Sequence, residues 1–295
     1  MKTELITLRQ TLFYLRTKSP IKSKIEVIKW FLFRIPVRII LDFKSMKRRL
    51  RNIENKEIFS RMHDGATIIH TIEQLSNLYE IYGIRRQERF KFDDKPLYII
   101  IDIGAHIGIY TIKMALENPH SLIYSIEPEE KNFKKLRKNL RINKIKNVVP
   151  LRLALSNKEG YINLYIDEFG SGQHSLFKKT KYYEKIRVTT LDKLIRRLNL
   201  KSISLIKIDT EGAEYYILLG GIKSLKIFKP NLIIETHPWN DKGCNERIVR
   251  LLRKIGYNLK IFKEKDSSLN IYAWKGYYDQ AKEGDWKLLT LTISI

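Results

Sequence analysis

A chain of 295 residues that is 43% hydrophobic can bury a sizeable core, which excludes a generally disordered protein. Its single cysteine, Cys244, excludes an intrachain disulfide and a Cys/His metal cluster, and fits a reducing, cytoplasmic compartment. The formal net charge of +24 invites a polyanionic partner, although heavy use of Lys, Ile and Asn throughout raises the basic charge without requiring one.

The basic excess is concentrated at the start. Residues 1–51 hold 14 Lys/Arg against three acids, Glu4, Glu26 and Asp42. The first 52 residues read as a basic helical extension. They contain no unbroken apolar run followed by a small-residue cleavage site, so no secretory signal is expected. The most apolar stretch, Val27 to Phe43, is interrupted by Lys29, Arg34, Pro36 and Arg38 and makes a poor membrane span. Trp30, Phe31 and Phe33 among basic residues suit an interfacial segment, so residues 1–51 are a candidate for peripheral contact with an anionic membrane, such as the inner membrane surface. The alternative is a helix packed on the main domain.

Residues 53–95 read as a small hairpin and helix leading into the core. Asp64-Gly65 marks a turn, and Ile72, Leu75, Leu78 and Ile81 recur at helical spacing over 71–83 with Gly83 as the stop. The charged stretch 85–96 reads as a linker.

From residue 96 to 275 the pattern changes. Ile- and Val-rich runs at 97–104, 121–128, 147–155, 203–212 and 230–238 alternate with helical stretches, and two further runs follow at 258–262 and 270–274. This predicts an α/β domain with a mostly parallel sheet and helices on both faces. Segments 160–167 and 185–192 read as a strand pair flanking a polar loop that contains "GSGQHS", Gly170 to Ser175. Residues 276–295 form a C-terminal tail without an assignment.

The first run ends in "DIGAHIG", Asp102 to Gly108. In open α/β sheets ligands bind beyond the carboxyl ends of the strands. Gly104 allows a tight turn and close ligand approach, and the N–H groups near the helix start suit an anionic end. The dinucleotide fingerprint has a second glycine where His106 stands, which disfavours NAD. A ligand with a nucleoside end and a small carboxylate end fits better, and S-adenosylmethionine has both. Glu127, at the tip of the second run and 19 residues after Gly108, is placed to accept the ribose hydroxyls, framed by Pro128. Ala154 and Leu155 offer an apolar surface to adenine. The expected cofactor site is therefore Asp102, Gly104, Ala105, His106, Gly108, Glu127, Pro128, Ala154 and Leu155.

These segments, with "IEPEEKNFKKLRKNLRIN", "LALSNKEG", "TTLDKLI", "LIKIDTEGAEYYILLGG" and "LIIETHPW" in that order, make residues 97–257 resemble the FkbM-type family of class I S-adenosylmethionine-dependent methyltransferases. The resemblance implies a Rossmann-like seven-stranded sheet, this cofactor, and O-methylation of a hydroxyl on a sugar, glycan, glycolipid or small natural product. The family often has asparagine at the position of His106.

A hydroxyl acceptor benefits from a base that takes its proton. Asp209 and His237 are the first candidates for base or acceptor-orienting residue, with Glu211 and Glu235 next; capping competes with catalysis for Glu211 and Glu214. Asp209, Glu235 and His237 are also the residues that would gather a divalent metal, a reading not favoured here. Tyr182, Tyr183, Tyr215, Tyr216 and Trp239 are candidates for stacking on the acceptor. Two alternatives remain: an RNA methyltransferase, and a non-catalytic scaffold on the same fold. Nucleic acid is the weaker choice, because "DTEGAE" replaces the Asn/Asp-Pro-Pro-aromatic turn of amino-group methylases and no RNA-binding module precedes the core.

Overall fold

The computed structural model describes residues 10–34, 56–72, 74–82, 98–165, 181–263 and 267–275. Beyond a helical turn at residues 10–16, the helices are α1 (Ile21–Arg34), α2 (Leu75–Tyr82), α3 (Ile109–Glu117), α4 (Glu130–Ile142), α5 (Leu191–Arg197), α6 (Glu214–Leu219), α7 (Ile222–Phe228) and α8 (Cys244–Lys254). The strands are β1 (Glu57–Arg61), β2 (Thr67–Thr71), β3 (Ile99–Ile103), β4 (Leu122–Ile126), β5 (Val148–Leu151), β6 (Ala154–Ser156), β7 (Gly160–Tyr165), β8 (Tyr183–Thr190), β9 (Leu205–Ile208), β10 (Asn231–Glu235), β11 (Asn258–Lys263) and β12 (Leu269–Trp274).

Seven strands form the central sheet in the order β11-β12-β10-β9-β3-β4-β5. β5, β4, β3, β9 and β10 pair in parallel, and β12 is the strand that runs antiparallel to its neighbours. The strand alternation fills both faces. Ile101, Ile103, Ile206, Ile208, Leu232 and Ile234 pack with residues of α5, α6, α7 and α8, among them Leu194, Ile217, Leu225 and Ile248. Ile100, Leu205 and Ile233 face the other way, towards Ala115 of α3. This is the α/β architecture the sequence predicts, a Rossmann-like sheet covered by helices on both faces.

The run 147–155 is not one strand. It splits into β5, at the sheet edge, and β6, which leaves for a separate three-stranded sheet ordered β6-β8-β7. Pro150, which lacks an N–H, is tolerated because β5 pairs on one side only. The expected strand pair is present as β7 and β8, antiparallel, with β6 parallel to β8. The loop with "GSGQHS" lies outside the described residues, as do residues 1–9, Gly83, the whole 85–96 stretch and the tail. The helical stretch between the runs at 203–212 and 230–238 is two helices, α6 and α7, broken at Gly220-Gly221.

β1 and β2 form the expected hairpin, with Ile58 opposite His70. The helix expected from residue 71 starts later, at Leu75, because Thr71 still belongs to β2. Ile58, Ile68, Ile72, Leu75 and Leu78 share one core with Ile107, Ile109, Ile112, Leu136 and Leu140, and Tyr14, Val27 and Trp30 complete it. The amino-terminal helices, the hairpin and the α3–α4 layer therefore bury apolar surface together. Trp30, expected at an interface, is 4% exposed and belongs to this core.

Candidate active site

A cleft of about 780 Å³, open space at its mouth included, lies at the carboxyl ends of β3, β4 and β9. Its wall includes Gly104, His106, Glu127, Pro128, Ala154, Leu155, Asp209 and Glu211 from the residues singled out in the sequence. Asp102, Ala105, Gly108, Glu235 and His237 are not on the wall. Asn77 and Leu164, to which no sequence signal points, are.

The glycine turn is held by the protein itself. Gly104 has φ +82°, and a Cβ there would lie 1.7 Å from the carbonyl oxygen of Asp209. The close approach that demands glycine is thus between β3 and β9, not between chain and ligand as the sequence suggests. Gly104 N–H and Ala105 N–H both donate to Ile126 O, at 3.0 Å each, and Gly108 N–H donates to Ala105 O at 2.9 Å. His106 N–H donates to Glu127 Oε2 at 2.8 Å. These four donors of the turn are engaged within the protein. His106 has φ +54°, a left-handed conformation that asparagine tolerates well. Gln74 Oε1 accepts from Thr71 N–H at 3.0 Å, which turns its amide nitrogen towards His106 Nε2, 3.1 Å away.

Glu127 ends β4 on the wall. Its second oxygen, Oε1, accepts from Glu129 N–H at 3.0 Å. Burial, opposed by these two backbone bonds, pushes its carboxyl up to about 7. Each oxygen still has lone-pair capacity for a further donor. Leu153, Ala154, Leu155 and Leu164 supply the apolar wall.

Behind the turn lies a buried ion chain. Thr111 Oγ1 donates to Asp102 Oδ2 at 2.6 Å. Lys207 Nζ stands 3.6 Å from Asp102 Oδ1 and 3.1 Å from Asp209 Oδ2. It also lies 5.3 Å from the centre of the Tyr110 ring. Asp102 is fully buried and interior, so it supports the turn from below. Burial raises its carboxyl despite Lys207 and Thr111. A lysine inside the otherwise apolar run "SLIKID" was the available signal for this pair.

The second cluster is centred on His237. Its Nδ1 donates to Glu214 Oε1 at 2.8 Å, and its Nε2 lies 3.7 Å from Asp209 Oδ1 and 3.6 Å from Glu211 Oε1. Burial alone would lower its pKa, but the bond and charge of Glu214, with the charges of Glu211 and Asp209, push it up to about 10. His237 is therefore a cation near neutral pH, hydrogen-bonded as a donor. Of the two roles offered for His237, base or acceptor-orienting residue, its contacts favour orientation, since it faces three carboxylates. Glu214, completely buried, also accepts from Thr210 N–H and Gly212 N–H at 3.1 and 3.0 Å, the capping role weighed for it.

The two wall carboxylates differ. Burial raises Asp209, but Lys207 and His237 outweigh it and hold Asp209 below its ordinary range. Glu211, in the left-handed region at φ +54°, is pushed up to about 7 by burial, opposed by His237 and reinforced by Asp209 and Glu214. Asn240 Nδ2 donates to Glu211 O at 3.0 Å, and half-exposed Trp239 packs edge-on against His237 with centroids 5.1 Å apart. Glu235, on β10 opposite Asn270 of β12, is not on the cleft wall, and its charge acts on Lys207. Among the described residues no three His, Cys, Asp or Glu side chains are placed to hold a metal ion. Asp209 and His237 converge with Glu211 and Glu214 as an ion cluster whose cation is the histidine itself.

Residues 102–259 match the Methyltransferase FkbM domain family. Methyltransferase sdnD of Sordaria araneosa is 26% identical over 192 residues, which span 54% of this chain and 73% of that protein. The 31-O-demethyl-FK506 methyltransferase FkbM of Streptomyces tacrolimicus is 25% identical over 239 residues, 70% of this chain and 90% of that one. Among solved structures, the methyltransferase FkbM of Methylobacillus flagellatus aligns with a TM-score of 0.47 and 15% identity, covering 84% of this chain and 59% of that one. With a family match over more than half of its length, the chain belongs to the FkbM methyltransferase family.

Proposed function

We propose that the protein transfers a methyl group from S-adenosylmethionine to a hydroxyl oxygen of a sugar, glycan or other small hydroxylated acceptor. The observation that carries this is Glu127, an acid fixed by two backbone donors on the wall of a cleft that is apolar beside it and acidic further along. A nucleoside fits such a wall: Glu127 accepts from ribose hydroxyls, and Ala154, Leu155 and Leu164 pack on the base. The acidic side, Asp209 and Glu211, suits a cationic sulfonium. With the Gly104, Ala105, His106 and Gly108 N–H groups engaged, the Asn77 amide is one uncharged donor on the wall for the ligand's carboxylate. When bound, the cofactor supplies an activated methyl group.

The chain's own contribution is placement and proton removal. Glu211 is the better base, since it titrates near neutrality and faces the cleft, whereas Asp209 is held ionised by Lys207 and His237. The acceptor's proton passes to the Glu211 carboxylate as its oxygen takes the methyl group. His237 orients Glu211 and is itself no base. The name of the Streptomyces relative, a 31-O-demethyl methyltransferase, supports oxygen as the methylated atom.

Calorimetry with S-adenosylhomocysteine tests the cofactor. The protein should bind it, and Glu127→Ala should weaken binding at least about tenfold, the worth of a hydrogen bond to a charged group. A folded protein that shows no binding removes the reading. Glu211→Gln should leave that affinity within about twofold while abolishing methyl transfer to hydroxylated acceptors.

A further inference from the structure

α1 has two opposed faces. Ser23, Glu26, Val27 and Trp30 point inward, and Ser23 Oγ accepts from Phe59 N–H at 3.3 Å. On the opposite side Ile21, Ile25 and Ile28 are 77%, 43% and 38% exposed. Their spacing of four and three residues places them in one stripe along the helix. Exposed Lys22 and Lys29 flank the stripe on one side and Lys24 on the other, with exposed Arg16 and Lys18 just before it. The acid of this segment, Glu26, is turned inward and paired with Lys56 at 2.9 Å and Lys29 at 3.6 Å.

We infer that this face of α1 seats on an anionic lipid surface, with Ile21, Ile25 and Ile28 at the acyl boundary and the flanking lysines at the lipid phosphates. An isoleucine stripe bordered by cations and free of acids is the pattern of helices that lie in the interface plane. Lysine stems extend along the apolar band while their ammonium groups stay at the headgroups. A second copy fits poorly: an isologous contact through the stripe brings each set of lysines against its twin. A nucleic acid would use the lysines and leave the isoleucines in water. No helix among the described residues is long and apolar enough to cross a membrane, so the contact is peripheral. Of the three aromatics the sequence offered for this role, Trp30 faces the core and Phe31 packs against it, the Phe33 side chain lies outside what is described, and the isoleucines form the exposed stripe.

Vesicle flotation of the full chain tests this, with phosphatidylcholine alone and with about one-third phosphatidylglycerol added. The protein should float with the anionic vesicles alone and be released by about 1 M salt. Ile25→Asp combined with Ile28→Asp should weaken partitioning at least about tenfold, and so should Lys18→Glu combined with Lys22→Glu. All four positions are exposed, so thermal unfolding and S-adenosylhomocysteine affinity should not change. Binding that survives the isoleucine pair, equal binding to neutral vesicles, or no vesicle binding at all overturns the inference. Self-association lost in the isoleucine pair without vesicle binding overturns it in favour of a contact between copies.

Discussion

His237 shows how one side chain sets the chemistry of its neighbours. Three carboxylates, Asp209, Glu211 and Glu214, surround its ring within 3.7 Å. His237→Ala leaves them facing one another in a buried site and should cost about 3 kcal/mol in urea unfolding, as breaking a buried pair does. A loss below about 0.5 kcal/mol would show that the cluster does not depend on the imidazolium. The glycine turn gives a second contrast at this scale. Gly104→Ala drives a Cβ into Asp209 O and should cost about 3 kcal/mol or more. Gly65→Ala, also at positive φ but with nothing within 4 Å, should cost only about 1 kcal/mol. Glu127 adds a pH dependence. Its carboxyl titrates at about 7, and a protonated acid accepts less well from ribose hydroxyls. Affinity for S-adenosylhomocysteine should fall as pH drops below about 7, and Glu127→Gln should flatten that slope.

Among the elements, α4 joins the hairpin to the site in a way no periodicity announces. Asn139 Oδ1 accepts from Ile69 N–H at 2.8 Å, and its Nδ2 donates to Ile69 O at 3.1 Å and to Ile107 O at 2.9 Å. Asn143, one turn on, accepts from Thr67 N–H and donates to Thr67 O. The two amides match alternate residues of β2 as a neighbouring strand would, so α4 covers the hairpin edge. Asn139→Ala strands buried backbone groups and should destabilise by about 2–3 kcal/mol, with amide exchange at Ile69 accelerated; unchanged protection there would show that the clamp is not needed. In the sequence these asparagines look like solvated helix residues, because the strand they serve lies 70 residues away. The β3–α3–β4–α4 order was legible, since apolar runs on a two-sided sheet have one reading. The departure of β6 was not: three residues carry too little pattern to say which sheet they join.

At the scale of the whole molecule, the cleft floor was readable because sequence order fixes which strand ends meet in a parallel sheet, and Glu127 and Asp209 are such ends. Asn77 was not assignable, as its place depends on how the amino-terminal layer folds back; His237 was named at the end of the fifth run, but its pairing with Glu214 depends on the turn after β10. The same layer holds His70, fully buried between Ser60 Oγ and Thr71 O, with the Tyr14 ring edge-on at 6.0 Å. Burial, with the Lys135 charge, brings its pKa down to about 4 despite the Thr71 bond. A histidine lowered from about 6.5 contributes stability above that pH, and the contribution is lost as pH falls towards 4. The window is worth about 3 kcal/mol. His237 has the opposite sign: its contribution is complete below about 6.5 and fades as pH rises towards 10. Glu127 and Glu211, raised to about 7, also favour the folded state towards acid. The total pH–stability curve mixes these opposing groups, so the difference between His70→Gln and the unsubstituted protein isolates one of them. That stability gap should shrink by about 3 kcal/mol between pH 7.5 and pH 4, because the glutamine has no proton to gain on unfolding. A gap independent of pH would mean that His70 takes up its proton inside the fold, and that the layer beneath α1 admits a charge the packing around Tyr14 and Ser60 argues against.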